Sequence, residues 1–320
     1  MTKSGMPITY DYLVVASGLE LRYDQIPGSL EALDDQLCPA GSMYRLDYAK
    51  KMSRIRQNFK GGKAIFTLPV MPVKCGGAPQ KVMYLSEESF RKNGVRDKCD
   101  IHFYTSVASM FPNCEKYAKA LKPIAEAKGI DVHFKHLIQS VDGNNRTAKF
   151  KNLDTEEMVD VDFDLLHVVP PQTSHQFVRE SPLAAENGFL DVEQFTLRHN
   201  KFNNIWGLGD VCNLPTAKTA AAIFSQSPVV AHQIQNSVKN LPSNAKYDGY
   251  SSCPLYTGDK QLMLMEFKYG GIPNETFRSN QEVPHRFFYH VKKDIFPSVY
   301  WQFVPTGKWF GKRTIFAPKF

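Results

Sequence analysis

The chain has 320 residues, enough for two domains of ordinary size, and a formal net charge of +7. Its 42% hydrophobic and 22% charged residues are typical of a globular protein, not of a disordered or fibrous one. No run of about eighteen apolar residues occurs, which argues against a membrane-spanning helix. The N-terminus carries no secretory or mitochondrial signal, so we expect any such address to be absent or removed with an upstream portion. The six cysteines have neither the density of a secreted disulfide scaffold nor the spacing of a zinc site.

The first predicted element is a strand over residues 10–18 that ends in Ser17 and Gly18. Small residues at the end of a buried strand allow a ligand to approach the backbone. A dinucleotide-binding unit normally opens with a strand, the motif G-x-G-x-x-G, a helix and an acidic residue. Neither the motif nor room for such a unit precedes this strand, and the motif occurs nowhere else in the chain.

Alternating strands and helices are predicted from about Cys38 to Pro170. Helices are expected over 48–59, through 83–92 and over 115–128; strands are expected over 64–69, 100–104, 132–134, 147–150 and 165–169. This alternation predicts a parallel, doubly wound sheet.

A strand-to-helix turn at 72–81 contains the first candidate nucleophile. Gly76 and Gly77 allow backbone geometry closed to other residues, and Pro79 suits the first helical position. Cys75 is then held close to a helix N-terminus, where the thiolate is favoured. It is therefore a candidate nucleophile or redox thiol; a small buried residue in a tight turn is the alternative interpretation.

Two further signals lie downstream. An apolar strand ends in Gly209 and Asp210, and after Lys218 a long alanine-rich helix is expected over 219–239. Asp210 is interpreted as a ligand-binding carboxylate, or alternatively as a turn residue. Cys253 lies in the turn-rich segment 247–258 and is followed directly by proline.

The histidines show no metal-ligand spacing, and no metal is predicted. We interpret six of them as surface or packing residues: His102, His133, His136, His167, His175 and His232.

The last 36 residues differ in composition from the rest of the chain. They contain seven Lys or Arg against one acid, Asp294, and they are rich in aromatic residues. Their apolar helical face consists of Phe287, Phe288, Val291 and Ile295, and Pro297 is expected to end the helix. A basic, aromatic, amphipathic segment of this kind indicates an in-plane membrane anchor. A helix packed on the protein is the alternative; a nucleic-acid partner is not expected, because no nucleic-acid fold signature accompanies the basic residues.

Three segments in this order resemble the sulfide:quinone oxidoreductase family of flavoproteins. They are Lys-Cys-Gly-Gly at 74–77, Gly-Leu-Gly-Asp at 207–210 and Tyr-Ser-Ser-Cys-Pro at 250–254, and the resemblance runs from about Ile8 to the C-terminus. It implies an α/β fold with two Rossmann-like FAD/NAD(P)-binding domains, the first incomplete, plus a C-terminal amphipathic membrane-associating segment. The implied divisions are 1–36 and 171–242 for the FAD domain, 37–170 for the NAD-like domain carrying Cys75, and 243–320 for the C-terminal region carrying Cys253.

The resemblance also implies a site. FAD is the expected cofactor, and its contacts would come from six residues: Ser17, Gly18, Gly209, Asp210, Lys218 and Thr219. Lys218 and the helix N-terminus behind it would stabilise the charge of reduced flavin. NAD is not expected, because the position of its phosphate turn presents a thiol.

The implied activity is oxidation of hydrogen sulfide. Hydrosulfide would attack a disulfide between Cys75 and Cys253, two electrons would pass through FAD to ubiquinone, and glutathione or sulfite would accept the sulfur. A mitochondrial, inner-membrane-associated location follows from the same resemblance. Two alternatives remain: another FAD-dependent oxidoreductase, or a truncated, catalytically inactive membrane-associated member, as the missing opening unit suggests.

Overall fold

The structure is a computed structural model and describes residues 5–320, so the first four residues of the predicted segment 1–36 lie outside it. The strands, in chain order, are β1 (Leu13–Val15), β2 (Glu20–Leu21), β3 (Ala40–Gly41), β4 (Gly62–Leu68), β5 (Cys99–Thr105), β6 (Ile130–Phe134), β7 (His136–Asp142), β8 (Thr147–Asn152), β9 (Met158–Asp162), β10 (Leu165–His167), β11 (Gln172–Thr173), β12 (Ile205–Gly207), β13 (Ser251–Gly258), β14 (Gln261–Lys268) and β15 (Ile272–Pro273). The helices are α1 (Ser29–Asp34), α2 (Leu46–Asn58), α3 (Ala78–Lys92), α4 (Glu115–Ala127), α5 (Gln176–Arg179), α6 (Ala220–Val238), α7 (Arg286–His290) and α8 (Phe296–Phe303).

A five-stranded parallel sheet with the order β3-β10-β4-β5-β6 organises the first half of the chain. Alternate residues of its strands enter two different hydrophobic clusters: Phe66 and Phe103 pack in one, Ile65 and Tyr104 in the other. Both faces are therefore covered, which explains why the last five residues of β4 are all buried and three of them, 64–66, form a continuous apolar run. The parallel sheet predicted from the alternation of strands and helices is present.

The strand predicted over 147–150 exists, but its assignment to the parallel sheet is wrong. As β8 it is the central strand of a separate antiparallel sheet, β7-β8-β9. A tight turn joins β7 to β8, and in it Asp142 Oδ1 accepts hydrogen bonds from the backbone N–H groups of Asn144 and Asn145. Such a connection is too short for the crossover that a parallel neighbour needs.

A second parallel pair brings distant parts of the chain together. In this two-stranded sheet β1 lies beside β12, with Leu13 opposite Ile205 and Val15 opposite Gly207. Because parallel strands end at the same edge, the segments 17–18 and 209–210 follow on the same side of the sheet. The division of the chain into the four predicted segments stays a prediction.

The hairpin β13–β14 carries Cys253 into the main core. Cys253 is opposite Met265, and both belong to the hydrophobic cluster that contains Phe66 of β4 and Met83 of α3. The next residue of β14, Glu266, is buried and accepts hydrogen bonds from the Tyr250 hydroxyl and from the side chain of Gln281. The buried carboxyl group thus has hydrogen-bond donors, as a buried polar group requires.

The prediction that Pro297 ends the C-terminal helix is wrong. A π-helical turn, Val291–Ile295, joins α7 to α8, and Pro297 lies in the first turn of α8. Proline is tolerated there because the first N–H groups of a helix have no intrahelical partner. No helix among residues 5–320 is both long and apolar enough to cross a membrane.

Candidate active site

Cys75 lies in the loop between β4 and α3, with its own backbone in the left-handed region at φ 51°. The prediction that Gly76 and Gly77 supply the unusual backbone geometry is wrong, since neither has a positive φ. Gly77 is required for space instead: a Cβ atom there would lie 2.6 Å from Sγ of Cys253. The glycine therefore allows the second cysteine to approach the loop.

Hydrogen bonds on both sides hold the strained Cys75 backbone. Its N–H donates to the carbonyl of Lys218 at 2.7 Å, and its own carbonyl accepts from the N–H of Ala78 at 2.7 Å and from the Tyr44 hydroxyl at 3.3 Å. α3 begins at Ala78, so Pro79 occupies the second helical position, one later than predicted. The bond to Lys218 ties the cysteine loop to the segment that precedes α6.

The structure brings Cys75 and Cys253 together as free thiols. A hydrogen bond from the Cys253 thiol, together with the Lys81 ammonium, holds the pKa of Cys75 well below its usual range. The same hydrogen bond and burial raise the pKa of Cys253, which is only 3% exposed. The thiolate form is thus favoured at Cys75, and the protonated form is favoured at Cys253.

Two lysines of the site have no role in the sequence-based predictions. Lys81 Nζ donates to Cys75 Sγ at 3.2 Å. Burial lowers the pKa of Lys81, but the charges of Cys253 and Cys75 outweigh it, and the net shift is upward. Lys292, from the π-helical turn, lines one cavity together with Lys81 and the two cysteines, and its pKa is lowered by burial and by Lys81.

A sequence signal for Lys81 existed. It lies in the first turn of α3, where a cation opposes the helix dipole and lowers helix stability. A lysine in such an unfavourable place, six residues after a candidate thiolate, points to a role outside the helix. Lys292 had no comparable signal, because its approach depends on how the C-terminal helix packs.

The predicted cofactor residues at the edge of the β1–β12 sheet leave polar atoms without partners. Among the described residues, the buried atoms Ser17 Oγ and Asp210 Oδ1 make no hydrogen bond. Burial raises the pKa of Asp210. Gly18 and Gly209 both have positive φ, and the N–H of Gly209 donates to the side chain of Gln226 at 2.7 Å. A buried hydroxyl and carboxyl without partners fit a ligand that carries hydroxyl groups.

Lys218 and Thr219 have structural contacts of their own. The Lys218 ammonium donates to the carbonyls of Asp210 at 2.6 Å and Cys212 at 3.0 Å, and it lies 4.4 Å from the ring centre of Phe189. Burial lowers its pKa to about 8. Thr219 caps α6 by accepting from the N–H of Ala222. The ammonium thus secures the loop after Asp210, a role that the sequence did not indicate.

A cavity of about 590 Å³ lies beside the two thiols. Cys75, Cys253, Lys81 and Lys292 lie in its wall, together with Thr219 at the start of α6. The rest of the wall is largely apolar and aromatic and includes Phe224, Phe277, Phe296, Tyr300 and Trp309. One continuous space therefore extends from the two thiols to the aromatic C-terminal segment, and its size suits a small organic molecule.

No protein-family model matches the chain. Curated relatives match almost all of it. It is 42% identical, over 328 residues that cover 100% of this chain and 71% of the relative, to the mitochondrial sulfide:quinone oxidoreductase of Schizosaccharomyces pombe. Its identity to the enzyme of the same name from Dictyostelium discoideum is 42% over 320 residues, covering 99% of this chain and 70% of that one. The chain belongs to the sulfide:quinone oxidoreductase family. The family resemblance is confirmed, and the protein is an enzyme of the oxidoreductase class.

Solved structures support the fold of this family member. The sulfide:quinone oxidoreductase of Aquifex aeolicus superposes with a TM-score of 0.76 over 95% of this chain and 71% of that one, at 17% identity. A chain in the Tetrahymena thermophila mitochondrial ATP synthase structure gives a TM-score of 0.80 at 28% identity, over 90% of this chain and 72% of that one. The predicted fold class is confirmed at this level: a mixed α/β fold like that of sulfide:quinone oxidoreductase.

Proposed function

We propose that this family member oxidises hydrogen sulfide and passes two electrons to a quinone. The observation that carries this proposal is the pairing of two cysteines of opposite pKa shift at one end of a largely apolar cavity. Sulfide is a thiol-like nucleophile that exchanges with disulfides, whereas a quinone needs an apolar site. The relatives carry both substrates in their names.

The two cysteines would form the disulfide that sulfide attacks. Hydrosulfide bonds to the sulfur of Cys253, the Cys75–Cys253 bond breaks, and its electron pair leaves on Cys75. The products are a persulfide on Cys253 and a thiolate on Cys75. This direction is favoured because the thiol of lower pKa is the better leaving group, and Lys81 stabilises the charge that Cys75 gains.

FAD is the cofactor that we propose, and the residues at the β1–β12 edge fit it. Ser17 and Asp210 offer buried polar atoms without partners, and Gly18 and Gly209 leave the backbone open to close approach. The N-terminus of α6, capped by Thr219, adds oriented N–H groups and a positive dipole end. When bound, FAD would supply the two-electron oxidant: it would take up the two electrons released when the Cys75 and Cys253 thiolates rejoin as the disulfide, and pass them to the quinone. Lys218 would act indirectly: its ammonium donates to the Asp210 carbonyl and so holds the loop that carries Asp210.

The quinone and the sulfur acceptor would use different walls of the cavity. Its aromatic wall, with Phe296 and Trp309, suits ubiquinone. Lys81 and Lys292 supply positive charge beside Cys253, which suits an anionic sulfur acceptor such as sulfite or glutathione. The acceptor's thiolate or sulfur lone pair would take the outer sulfur of the persulfide and leave the Cys253 thiolate. The Cys253 thiolate and the Cys75 thiolate would then rejoin as the disulfide, with loss of the two electrons that the quinone finally accepts.

We also propose that the enzyme lies on the inner mitochondrial membrane. Phe287, Ile295, Trp301 and Phe316 are exposed apolar residues of the C-terminal segment, which also carries most of the chain's net positive charge. Apolar side chains with neighbouring lysines are typical of helices that lie in a bilayer interface. The relatives are named as mitochondrial, which supports the mitochondrial part of this proposal.

The cysteine roles can be tested with two variants and a control. We expect Cys75→Ser and Cys253→Ser each to abolish sulfide-dependent quinone reduction, measured by the loss of quinone absorbance, because each step requires both sulfurs. Cys114→Ser changes a buried thiol of the same core without a place in the cavity, and we expect it to retain activity. Near-normal turnover in either of the first two variants would refute the scheme.

A further inference from the structure

A group of ionisable side chains lies on the parallel sheet, and none of its members lines the cavity that holds the two thiols. On β5, Asp100 and His102 are two residues apart and therefore share a face of the sheet. On the neighbouring strand β6, Asp131 is opposite His102, and His133 is opposite Tyr104. Two carboxylates and two imidazoles thus come together on neighbouring strands.

The two nitrogens of His102 have different surroundings. Its Nδ1 lies 3.0 Å from Nε2 of His133, whose ring stacks on Tyr104 with centroids 4.2 Å apart. Its Nε2 is buried and makes no hydrogen bond with any described residue, although Oδ2 of Asp100 is only 2.8 Å away. The carboxylate is close to this nitrogen but outside hydrogen-bond geometry. The contact with His133 fixes the ring. Oδ2 of Asp131 lies 4.0 Å from Nδ1, so the two carboxylates approach the imidazole ring from different nitrogens.

We propose that Asp100, His102 and Asp131 bind a divalent transition-metal ion of the zinc class. One ligand atom from each residue lies within 4.8 Å of the other two, a spacing that an ion with bonds of about 2.0–2.2 Å can bridge after small side-chain movements. An imidazole with two carboxylates suits zinc, whereas magnesium and calcium prefer oxygen ligands alone. The side chains of Asp100 and Asp131 are 57% and 72% exposed, so they can adjust to the ion, and water can complete its coordination.

His133 is a positioning residue in this site. Its hydrogen-bond contact with Nδ1 orients the His102 ring, as a second partner usually does for a metal-bound imidazole. The ligands come from two strands that are distant in sequence, which explains why no spacing along the chain indicated a metal. The competing explanation is a protonated His102 paired with the two carboxylates, and that arrangement would exclude a cation.

The test must separate this site from the thiolates, which also bind zinc. The background is therefore the double variant Cys75→Ser, Cys253→Ser; the other four cysteines are buried. Chelator-treated protein is titrated with Zn²⁺ by calorimetry. We expect one ion per chain, and we expect His102→Gln and Asp131→Asn each to weaken binding more than about tenfold.

His290→Gln is the matched control. His290 is also a histidine beside an aspartate, with Nδ1 2.8 Å from Asp294, but the structure places it in no group of three possible ligands. We expect this change to leave the zinc affinity unaltered.

Thermal unfolding gives a second readout and shows whether the variants fold. Saturating Zn²⁺ should raise the Tm of the background protein and of His290→Gln, but not that of His102→Gln, since a ligand stabilises only the state that binds it. Absence of one-to-one binding in the background protein would overturn the proposal. Equal zinc affinity in the background, His102→Gln and Asp131→Asn proteins would do the same.

Discussion

At the scale of single residues, the site depends on a close approach that only glycine permits. Gly77 lies where the loop of Cys75 contacts the strand of Cys253. A Cβ atom there would lie 2.6 Å from Cys253 Sγ and 3.2 Å from Leu255 Cδ1. Gly76 is different, because a Cβ atom there would lie 3.1 Å from the flexible end of Met71. Two adjacent glycines therefore have unequal importance, and this can be measured.

We expect Gly77→Ala to reduce sulfide-dependent quinone reduction strongly and to lower the free energy of unfolding by about 1–3 kcal/mol, because the added methyl group overpacks a buried contact. Gly76→Ala is the control and should have much smaller effects, since the Met71 side chain can move. Activity assays and urea unfolding measure the two quantities. Equal effects of the two substitutions would show that the approach at Gly77 is not limiting.

The Lys81 ammonium should control the protonation of Cys75. Its removal in Lys81→Met raises the pKa of Cys75, so less thiolate is present at neutral pH. We expect alkylation of Cys75 in the reduced protein at pH 7 to slow about tenfold for each unit of pKa. Mass spectrometry of the Cys75 peptide measures the rate specifically, and burial raises the pKa of Cys38, Cys99, Cys114 and Cys212.

The pH profile gives the sign of the Lys81 effect. In the parent protein, alkylation of Cys75 should persist as the pH falls below the usual pKa of a thiol, because the folded pKa is lowered. In Lys81→Met it should decline over the same interval. Lys81→Arg keeps the positive charge and should resemble the parent. Identical profiles for the parent and Lys81→Met would contradict the role of the lysine.

At the scale of elements, the C-terminal helix has two different sides. Phe288 is buried against the hairpin β13–β14, and Lys292 reaches the cavity, whereas Trp301 is 75% exposed. The sequence offered membrane anchoring and packing on the protein as alternatives. The structure shows that part of the segment packs on the protein, while membrane contact remains our proposal for the exposed side.

We expect Trp301→Glu to weaken binding to vesicles of phosphatidylcholine and anionic lipid by at least about tenfold, because burying a large apolar side chain in the bilayer interface contributes about 1.5–3 kcal/mol. Leu37→Glu is the matched control, since Leu37 is 88% exposed but lies far from this segment in the sequence. Cosedimentation measures the bound fraction. Equal losses in the two variants, or none, would assign the segment to packing alone.

At the scale of the whole molecule, local signals determined what the sequence could predict. Strand and helix positions in the parallel sheet, the Cys75 turn and the long helix after Lys218 follow from short-range patterns. The pairing of Cys75 with Cys253 came from the family resemblance, because no local pattern links them. Three features depend on tertiary packing, which periodicity does not encode. They are the position of Lys292 in the cavity wall, the pairing of β8 in an antiparallel sheet, and the hydrogen bonds of Lys218 to backbone carbonyls.

The most direct test of the proposed function is the visible absorption spectrum of the purified chain with excess FAD removed, before and after sulfide is added without quinone. We expect a bound-flavin spectrum that bleaches or develops a long-wavelength band with sulfide, and we expect Cys75→Ser to retain flavin but to show no such change. Retained flavin that does not respond to sulfide would contradict the coupling of the thiols to the cofactor. Failure to retain any flavin would contradict the proposed FAD site on this chain.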